Sequence, residues 1–404
     1  MSTNSTLAPA AGPSRVKPAD IVWPAMKIPA GRLCRRCILD DSIPGVSFDA
    51  DGVCSHCRIH DKLAQRYPAG EAGRREMESI AARIRRDGRG KRYDCVVGVS
   101  GGRDTSYCLH MAVELGLRPL AVHFDNGWDA AVSKNNLRKL CTALNVDLHT
   151  VIADWDESRE LTNCTIRASV PYIDMTDDIG IARALYDAAA DEDARYVILS
   201  HSFREEGIKP LRWNYFDGLY TSSLIRRFAR KPLPKFRNVD LRHLLYWHFY
   251  KRIRIVNLTN YYDDAGDHVE KLLAERYGWV DTHQHHYDNE MFALVSYYLR
   301  VKFGINFWII DWAAQVRTGV IGRDEALERM TRPLVFETSE NVAYCLKKQG
   351  ISAEEWQEIL SSPPKFFDDY PNYHRFLRPF RHAIRLLGRM NILPSYIYEK
   401  YFET

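Results

Sequence analysis

The apolar run Cys95-Val96-Val97-Gly98-Val99 leads without a break into Ser100-Gly101-Gly102-Arg103-Asp104-Thr105-Ser106, and this junction limits the possible folds more than any other stretch. A run this short, apolar at every position, suits a parallel strand buried on both faces. Two adjacent glycines allow the backbone to turn tightly and approach a ligand. A helix expected over Thr105 to Leu115 follows, so its first N–H groups and its dipole converge on the loop. Such a place binds phosphate, and Ser100, Thr105 and Ser106 add hydroxyl donors. The loop is not a Walker A loop, because the Gly-Lys-Ser/Thr ending is missing, and it does not fit Gly-x-Gly-x-x-Gly. Standing alone, a Ser-Gly-Gly turn also serves as an ordinary strand-to-helix connection.

The stretches that follow repeat the pattern. Pro119 to Phe124 reads as a second buried strand, Asn135 to Leu144 as a helix, Asp147 to Ile152 as a third strand, Ile179 to Ala190 as a helix and Arg195 to Ser200 as a fourth strand. Strands alternating with helices predict an α/β fold with a doubly wound parallel sheet. In such sheets ligands lie at the carboxyl ends of the strands. The end of the second strand, His123-Phe124-Asp125-Asn126-Gly127, therefore converges on the glycine loop, although Asp125-Asn126-Gly127 is also an ordinary turn sequence. Glu206, just past the fourth strand, reaches the same edge, where it is a candidate to hold a metal ion or to orient an attacking amine. The bland alternative for Glu206 is a surface glutamate in Arg204-Glu205-Glu206.

Five segments are expected along the 404 residues: a flexible tail over 1–30, a metal-binding segment over 31–60, a helical linker over 61–90, the α/β domain over 91–215, and a mostly helical region over 216–404. A chain of this length exceeds the size at which one core keeps growing, so more than one domain is natural. No stretch of eighteen or more uncharged apolar residues occurs, which argues against a membrane span. The tail is rich in Ala, Pro and Ser without an apolar core, unlike a signal peptide. The net charge of +4 does not demand a nucleic-acid partner. Basic and aromatic residues do interleave between Arg226 and Arg254, a pattern of amphipathic helices with solvated basic faces or of a phosphate- and base-binding surface.

Four of the nine cysteines form Cys34-x2-Cys37 and Cys54-x2-Cys57, separated by sixteen residues. Two such knuckles at this spacing supply four thiolates to one tetrahedral Zn²⁺. His56 is an alternative ligand that is expected to face outward. Cys95, Cys108, Cys141, Cys164 and Cys345 fall in apolar or helical contexts and read as core fillers. An odd cysteine count and a metal knuckle favour the cytoplasm over an oxidising compartment. His283, His285, His286 and Asp288 look like a second metal cluster, but one substrate-contacting histidine, His286, is the preferred reading.

The loop resembles the Ser-Gly-Gly-x-Asp-Ser signature of the PP-loop ATP-pyrophosphatases, with Thr105 standing where that group usually has Ser. The resemblance implies that the loop holds the pyrophosphate leaving from ATP, that Asp104 helps hold Mg²⁺, and that the end of the second strand meets the adenosine. The nucleotide contacts it implies are Gly98, Ser100, Gly101, Gly102, Asp104, Thr105, Ser106, His123, Asp125, Asn126 and Gly127. Asp104, Glu206 and His286 are the candidate catalytic residues.

A longer resemblance covers most of the chain. Cys34-Arg35-Arg36-Cys37-Ile38-Leu39-Asp40, Phe48-Asp49, Gly52 to Cys57, Asp125 to Trp128, Arg167-Ala168-Ser169, Thr176-Asp177, Glu206-Gly207-Ile208, Gly278-Trp279, Lys302-Phe303-Gly304, Arg323 to Leu327 and Pro363-Pro364-Lys365 are similar to motifs of the N-acetyl sugar amidotransferases. These PP-loop enzymes convert an acetamido group on a bacterial surface sugar into an acetamidino group. The resemblance implies an ATP-dependent amidotransferase acting on an N-acetylated, nucleotide-linked sugar. Since the chain carries no Cys, His and Glu set for making ammonia, it also implies a separate glutaminase subunit and an ammonia-channelling, cyclase-like protein. Two segments depart from the family: His286-Tyr287-Asp288-Asn289 replaces His-x-Glu-Ser, and Asn306-Phe307-Trp308 stands where the family tends to read Asp-Lys-Arg, so that a Phe and a Trp are placed to stack on a ring. Two alternatives remain at this level: a tRNA-thiolating enzyme of the same superfamily, and a non-catalytic nucleotide-binding scaffold for a glutaminase.

Overall fold

The computed structural model describes residues 14–28, 31–262, 267–281, 289–390, 393 and 397–403. Its centre is a five-stranded sheet in the order β3-β2-β1-β4-β5. The strands are β1 (Cys95–Gly98), β2 (Pro119–Asp125), β3 (Leu148–Ile152), β4 (Tyr196–Leu199) and β5 (Arg254–Asn257), and all four pairings are parallel.

Two helices precede the sheet, α1 (Ser55–Arg66) and α2 (Gly70–Asp87). The helical linker expected over 61–90 is divided at Pro68. The residue before a proline is driven out of the helical region, and Tyr67 has φ −119° and ψ 79°. The sheet helices are α3 (Arg103–Glu114), α4 (Ala131–Leu144), α5 (Trp155–Arg167) and α6 (Met175–Asp191). Alternation along β1 distributes its side chains between two cores. Cys95 and Val97 pack with Ala81 and Ile84 of α2, Leu109 of α3 and Leu140 of α4, whereas Val96 packs with Ala184 and Leu185 of α6 and with Trp247. Both faces are covered, which is why β1 reads as a continuous apolar run.

The remainder is helical: α7 (Gly218–Phe228), α8 (Leu241–Leu245), α9 (Asp267–Tyr277), α10 (Phe292–Tyr298), α11 (Ile309–Thr318), α12 (Arg323–Arg329), α13 (Ser339–Gln349), α14 (Ala353–Ser361), α15 (His374–Leu377), α16 (Arg381–Arg389) and α17 (Ile397–Phe402). Its core joins the cysteine knuckles to Leu294, Ile310, Trp312, Phe336 and Trp356. Phe307 and Trp308, expected to be free to stack on a ring, belong to this core at 7% and 4% exposure. The strand β5 was not anticipated and lies beyond the expected domain boundary at 215. Only Ile255 and Val256 are apolar in it, because it is an edge strand.

Candidate nucleotide site and metal centre

Along the chain the sheet grows outward from β1 to β2 and β3, then resumes on the other side with β4 and β5. The topological switch point therefore lies between β1 and β4, and a crevice opens at their carboxyl ends. The Ser-Gly-Gly loop leaves β1 at this point, and the Ser200–Glu206 segment leaves β4 beside it. A cavity of about 80 Å³ between them is lined by Arg103, Asp104, Tyr107, Ser200, Ser202 and Glu205, among others. A larger cavity of about 600 Å³ lies on the far flank of β2, lined by Phe124, Val151, Glu157, Arg183 and Lys235 among others.

The loop is tied by its own hydroxyls. Thr105 Oγ1 accepts from the Ser100 N–H at 3.1 Å and donates to the Gly102 carbonyl at 3.2 Å; Ser100 Oγ accepts from the Gly102 N–H at 3.3 Å. Gly101 has φ +87°, and a Cβ there would lie 2.0 Å from the Ser133 carbonyl oxygen of α4. Only glycine fits that wedge. The Gly101 carbonyl accepts from Trp279 Nε1 at 3.0 Å, so Trp279, marked in the sequence only by family likeness, supports the loop from α9's end. Gly98 closes β1 against Leu185. Ser106, expected to offer a hydroxyl to phosphate, is fully buried and its oxygen does not reach the loop surface.

Arg103 organises the charge around the loop. Its guanidinium meets Asp104 at 2.8 Å, Glu205 at 2.5 Å and Glu270 at 3.7 Å. These anions raise the Arg103 pKa against the opposing effect of burial. Asp104, the candidate Mg²⁺ ligand, thus sits at the mouth already oriented by a cation. Sequence reasoning passed over Arg103 because it occupies the variable position of the signature.

The end of β2 forms a second tied turn. Asp125 accepts from the Gly127 N–H at 2.9 Å and from Lys134 Nζ at 2.7 Å, while Asn126 Oδ1 accepts from the Trp128 N–H at 2.9 Å. Gly127 has φ +85° and packs on Trp155. His123 is buried; Nδ1 lies 2.9 Å from the Val99 carbonyl, and Nε2 3.1 Å from Asp129. Because a carbonyl only accepts, Nδ1 carries a proton. Although burial opposes the imidazolium, the hydrogen bond and charge of Asp129 leave the His123 pKa raised. Beyond this turn, burial and then hydrogen bonds and neighbouring carboxylates act on Asp177, leaving it at about 7; its neighbours include Asn289 Nδ2 at 3.3 Å.

Glu206 stands at the end of β4, where its carboxylate lies 2.7 Å from His201 Nδ1 and also accepts from the Ser202 N–H at 3.4 Å. Lys209 nearby pairs with Asp311 of α11 at 3.2 Å and lies over the Phe307 ring. The structure thus brings Asp104, Glu206 and the β2 turn to one edge of the sheet. His286 lies outside the described residues, as do His283, His285, Tyr287 and Asp288.

Cys34, Cys37, Cys54 and Cys57 come together with no solvent exposure. Sulfur separations of 3.8, 3.6 and 3.6 Å match the spacing of about 3.8 Å for thiolates about 2.3 Å from one tetrahedral ion. The N–H groups of Arg36, Cys37 and Cys54 point at Cys34 Sγ at 3.3 to 3.4 Å, as suits a thiolate. Arg323 of α12 donates to the Cys37 and Cys34 carbonyls, each at 3.1 Å. His56, expected to face outward, is instead buried at 3% exposure. Burial and the nearby Arg317 charge lower its pKa to about 3, because α1 lays it against α11. The other five cysteines are all buried, and burial pushes the Cys164 thiol up to about 12.

A doubly wound parallel sheet with a Ser-Gly-Gly-x-Asp-Thr loop at its switch point defines an α/β protein with a phosphate-type loop at the ligand edge of its sheet. Its residues 273–385 match the family model described as the C-terminal domain of WbpG-like lipopolysaccharide biosynthesis proteins. No curated protein matches the chain. Among solved structures, U34-tRNA thiolase NcsA from Methanococcus maripaludis, with its 4Fe-4S cluster, is 13% identical over 80% of this chain and 99% of that one, with a TM-score of 0.31. NH3-dependent NAD synthetase from Campylobacter jejuni is 17% identical over 33% of this chain, with a TM-score of 0.26, and the match spans only 58% of its length. NMN synthetase from Francisella tularensis is 13% identical over 50% of this chain and 92% of that one, with a TM-score of 0.24. Among the described residues no helix is long and apolar enough to cross a membrane.

Proposed function

We propose that the chain is an ATP-dependent amidotransferase of bacterial surface-polysaccharide biosynthesis. It adenylates the amide oxygen of an N-acetylated, nucleotide-linked sugar and exchanges that oxygen for nitrogen, giving an amidine. The observation that carries this reading is a tied phosphate-type loop at the sheet's switch point, in a chain whose residues 273–385 match a lipopolysaccharide biosynthesis domain.

The backbone N–H groups of Gly101 and of the start of α3 would bind the departing pyrophosphate, and the β2 turn would flank the adenosine. Asp104 would hold Mg²⁺, which supplies neutralisation of phosphate charge. The amide oxygen attacks the α-phosphorus, and pyrophosphate leaves. Ammonia then adds to the imidate carbon, AMP departs with the former amide oxygen, and the surplus proton passes to a base. Glu206, held by His201, would serve as that base. Ammonia would come from a separate glutaminase through a channelling partner. The cysteine quartet would hold Zn²⁺ as a brace, remote from the chemistry.

Exchange of labelled pyrophosphate into ATP, dependent on candidate N-acetylated nucleotide sugars, tests the first half. Asp104→Ala is expected to lower it by on the order of a hundredfold or more. With ammonium salt the product should be lighter by the difference between O and NH. If ammonium yields no AMP while a sulfide donor yields AMP and a sulfur-containing product, thiolation replaces amidation.

A further inference from the structure

Near the C-terminus, α15, a turn of 3-10 helix over Arg378–Phe380, and α16 follow one another without interruption. From His374 to Met390 the sequence holds five arginines and no aspartate or glutamate. At about 100° per residue, Phe376, Phe380, Leu387 and Met390 lie along one line of this rod, while Arg378, Arg381 and Arg385 lie along the opposite one. One margin of the apolar face packs inward: Leu377, Ile384 and Leu387 are partly buried, and the Gly388 carbonyl accepts from Arg66 of α1 at 2.7 Å. The other margin is open, with Phe376 68%, Phe380 62%, Leu386 57% and Met390 55% exposed. Arg375, Arg378, Arg381 and Arg385 are exposed as well. Glu403, just past the neighbouring α17, is taken by Lys62 of α1 at 3.1 Å.

Single exposed apolar residues are ordinary, but four large ones within fifteen positions, bordered by an all-cationic stripe, form the profile of a helix lying in a membrane interface. The charge selects the occupant. In an isologous contact a second copy of this segment would bring only further arginines and no carboxylate to pair with them. An anionic bilayer offers phosphates to the arginines and hydrocarbon to the phenylalanines. We propose that His374–Met390 is a peripheral anchor that lays its open apolar margin into the interface of an anionic lipid bilayer. This inference does not depend on the amidation reading.

The test is co-sedimentation of the full chain with vesicles of phosphatidylcholine alone and of phosphatidylcholine mixed with phosphatidylglycerol. Binding is expected only to the anionic vesicles, weakening as salt shortens the electrostatic range. The double substitution Phe376→Glu and Phe380→Glu should lower it by roughly tenfold or more. Replacing Arg378, Arg381 and Arg385 with Gln should weaken it and flatten its salt dependence. Because these side chains are exposed, the melting temperature and the metal content should not change. Equal binding to both vesicle types, undiminished binding of the phenylalanine variant, or a substitution that alters the particle size in solution instead of lipid binding would each overturn the proposal, the last in favour of a protein interface.

Discussion

Gly101→Ala isolates the geometry on which the candidate nucleotide site depends. A residue with a Cβ at φ +87° carries left-handed strain of about 1–2 kcal/mol. The new methyl would also sit 2.0 Å from the Ser133 carbonyl oxygen and 2.8 Å from its carbon. Both are backbone atoms of the first turn of α4, so no side chain can rotate away, and overpacking adds roughly 1–3 kcal/mol. Either the loop or α4 shifts by about an ångström, a displacement that can cost on the order of a hundredfold in rate. Thermal melting and pyrophosphate exchange are the assays: a fall of roughly 2–4 °C per kcal/mol lost, with exchange reduced far more than stability alone explains. Gly90→Ala is the control, since Gly90 has φ +77° and a methyl there would meet nothing within 4 Å; it should carry the strain without the loss of exchange. If Gly101→Ala melts and exchanges like the parent, the loop does not wedge against α4 and the site geometry is wrong.

Arg323→Ala removes the donors to the Cys34 and Cys37 carbonyls and should speed metal release to a chromogenic chelator while leaving all four thiolates present. Glu337→Ala strips the partner from Arg300, paired at 2.6 Å with side-chain exposures of 7% and 0%; leaving that cation buried should cost about 3–5 kcal/mol in denaturant unfolding, whereas an exposed pair such as Arg75–Glu71 should cost almost nothing. Asp177 holds in the folded state, up to about pH 7, a proton that the unfolded chain releases above about pH 4, so its ionisation lowers stability as pH rises through that window. Asp177→Asn should therefore raise the melting temperature more at about pH 8 than at about pH 5, and an equal effect at both would refute the raised pKa.

The sheet was legible because its central strands are buried on both faces and carry no competing pattern; β1, β2 and β4 fall within a residue or two of their expected positions. The cysteine quartet was legible from spacing alone, since ligands close in sequence need little help from the fold. The edge strand β5 was not, because Arg254 and Asn257 dilute its apolar content. Nor was the burial of Phe307, Trp308 and His56: a sequence shows that a side chain is aromatic or basic, but only packing between distant helices shows which way it turns. The roles of Arg103 and Trp279 depend on contacts across 102 and 178 positions of sequence separation, which no local motif encodes.

Those long-range contacts share a direction. Trp279 bonds the Gly101 carbonyl, Lys348 of α13 bonds the Gly127 carbonyl at 2.7 Å, Asn289 reaches Asp177, Asp311 of α11 pairs with Lys209, and Arg323 of α12 clasps the cysteine knuckles. All five come from residues 273–385, the segment that matches the WbpG-like domain, and three of them end on the two glycine turns or the acidic residues at the carboxyl edge of the sheet. A domain built only for stability would gain as much by covering the apolar helix faces. Hydrogen bonding to the carbonyls of these turns instead fixes their peptide planes from the side opposite the Gly102 N–H, held on Ser100 Oγ, and the Trp128 N–H, held on Asn126 Oδ1. The helical segment therefore braces the candidate nucleotide site through its backbone, and a substrate bound against it would have a direct mechanical route to the loop at which ATP would react.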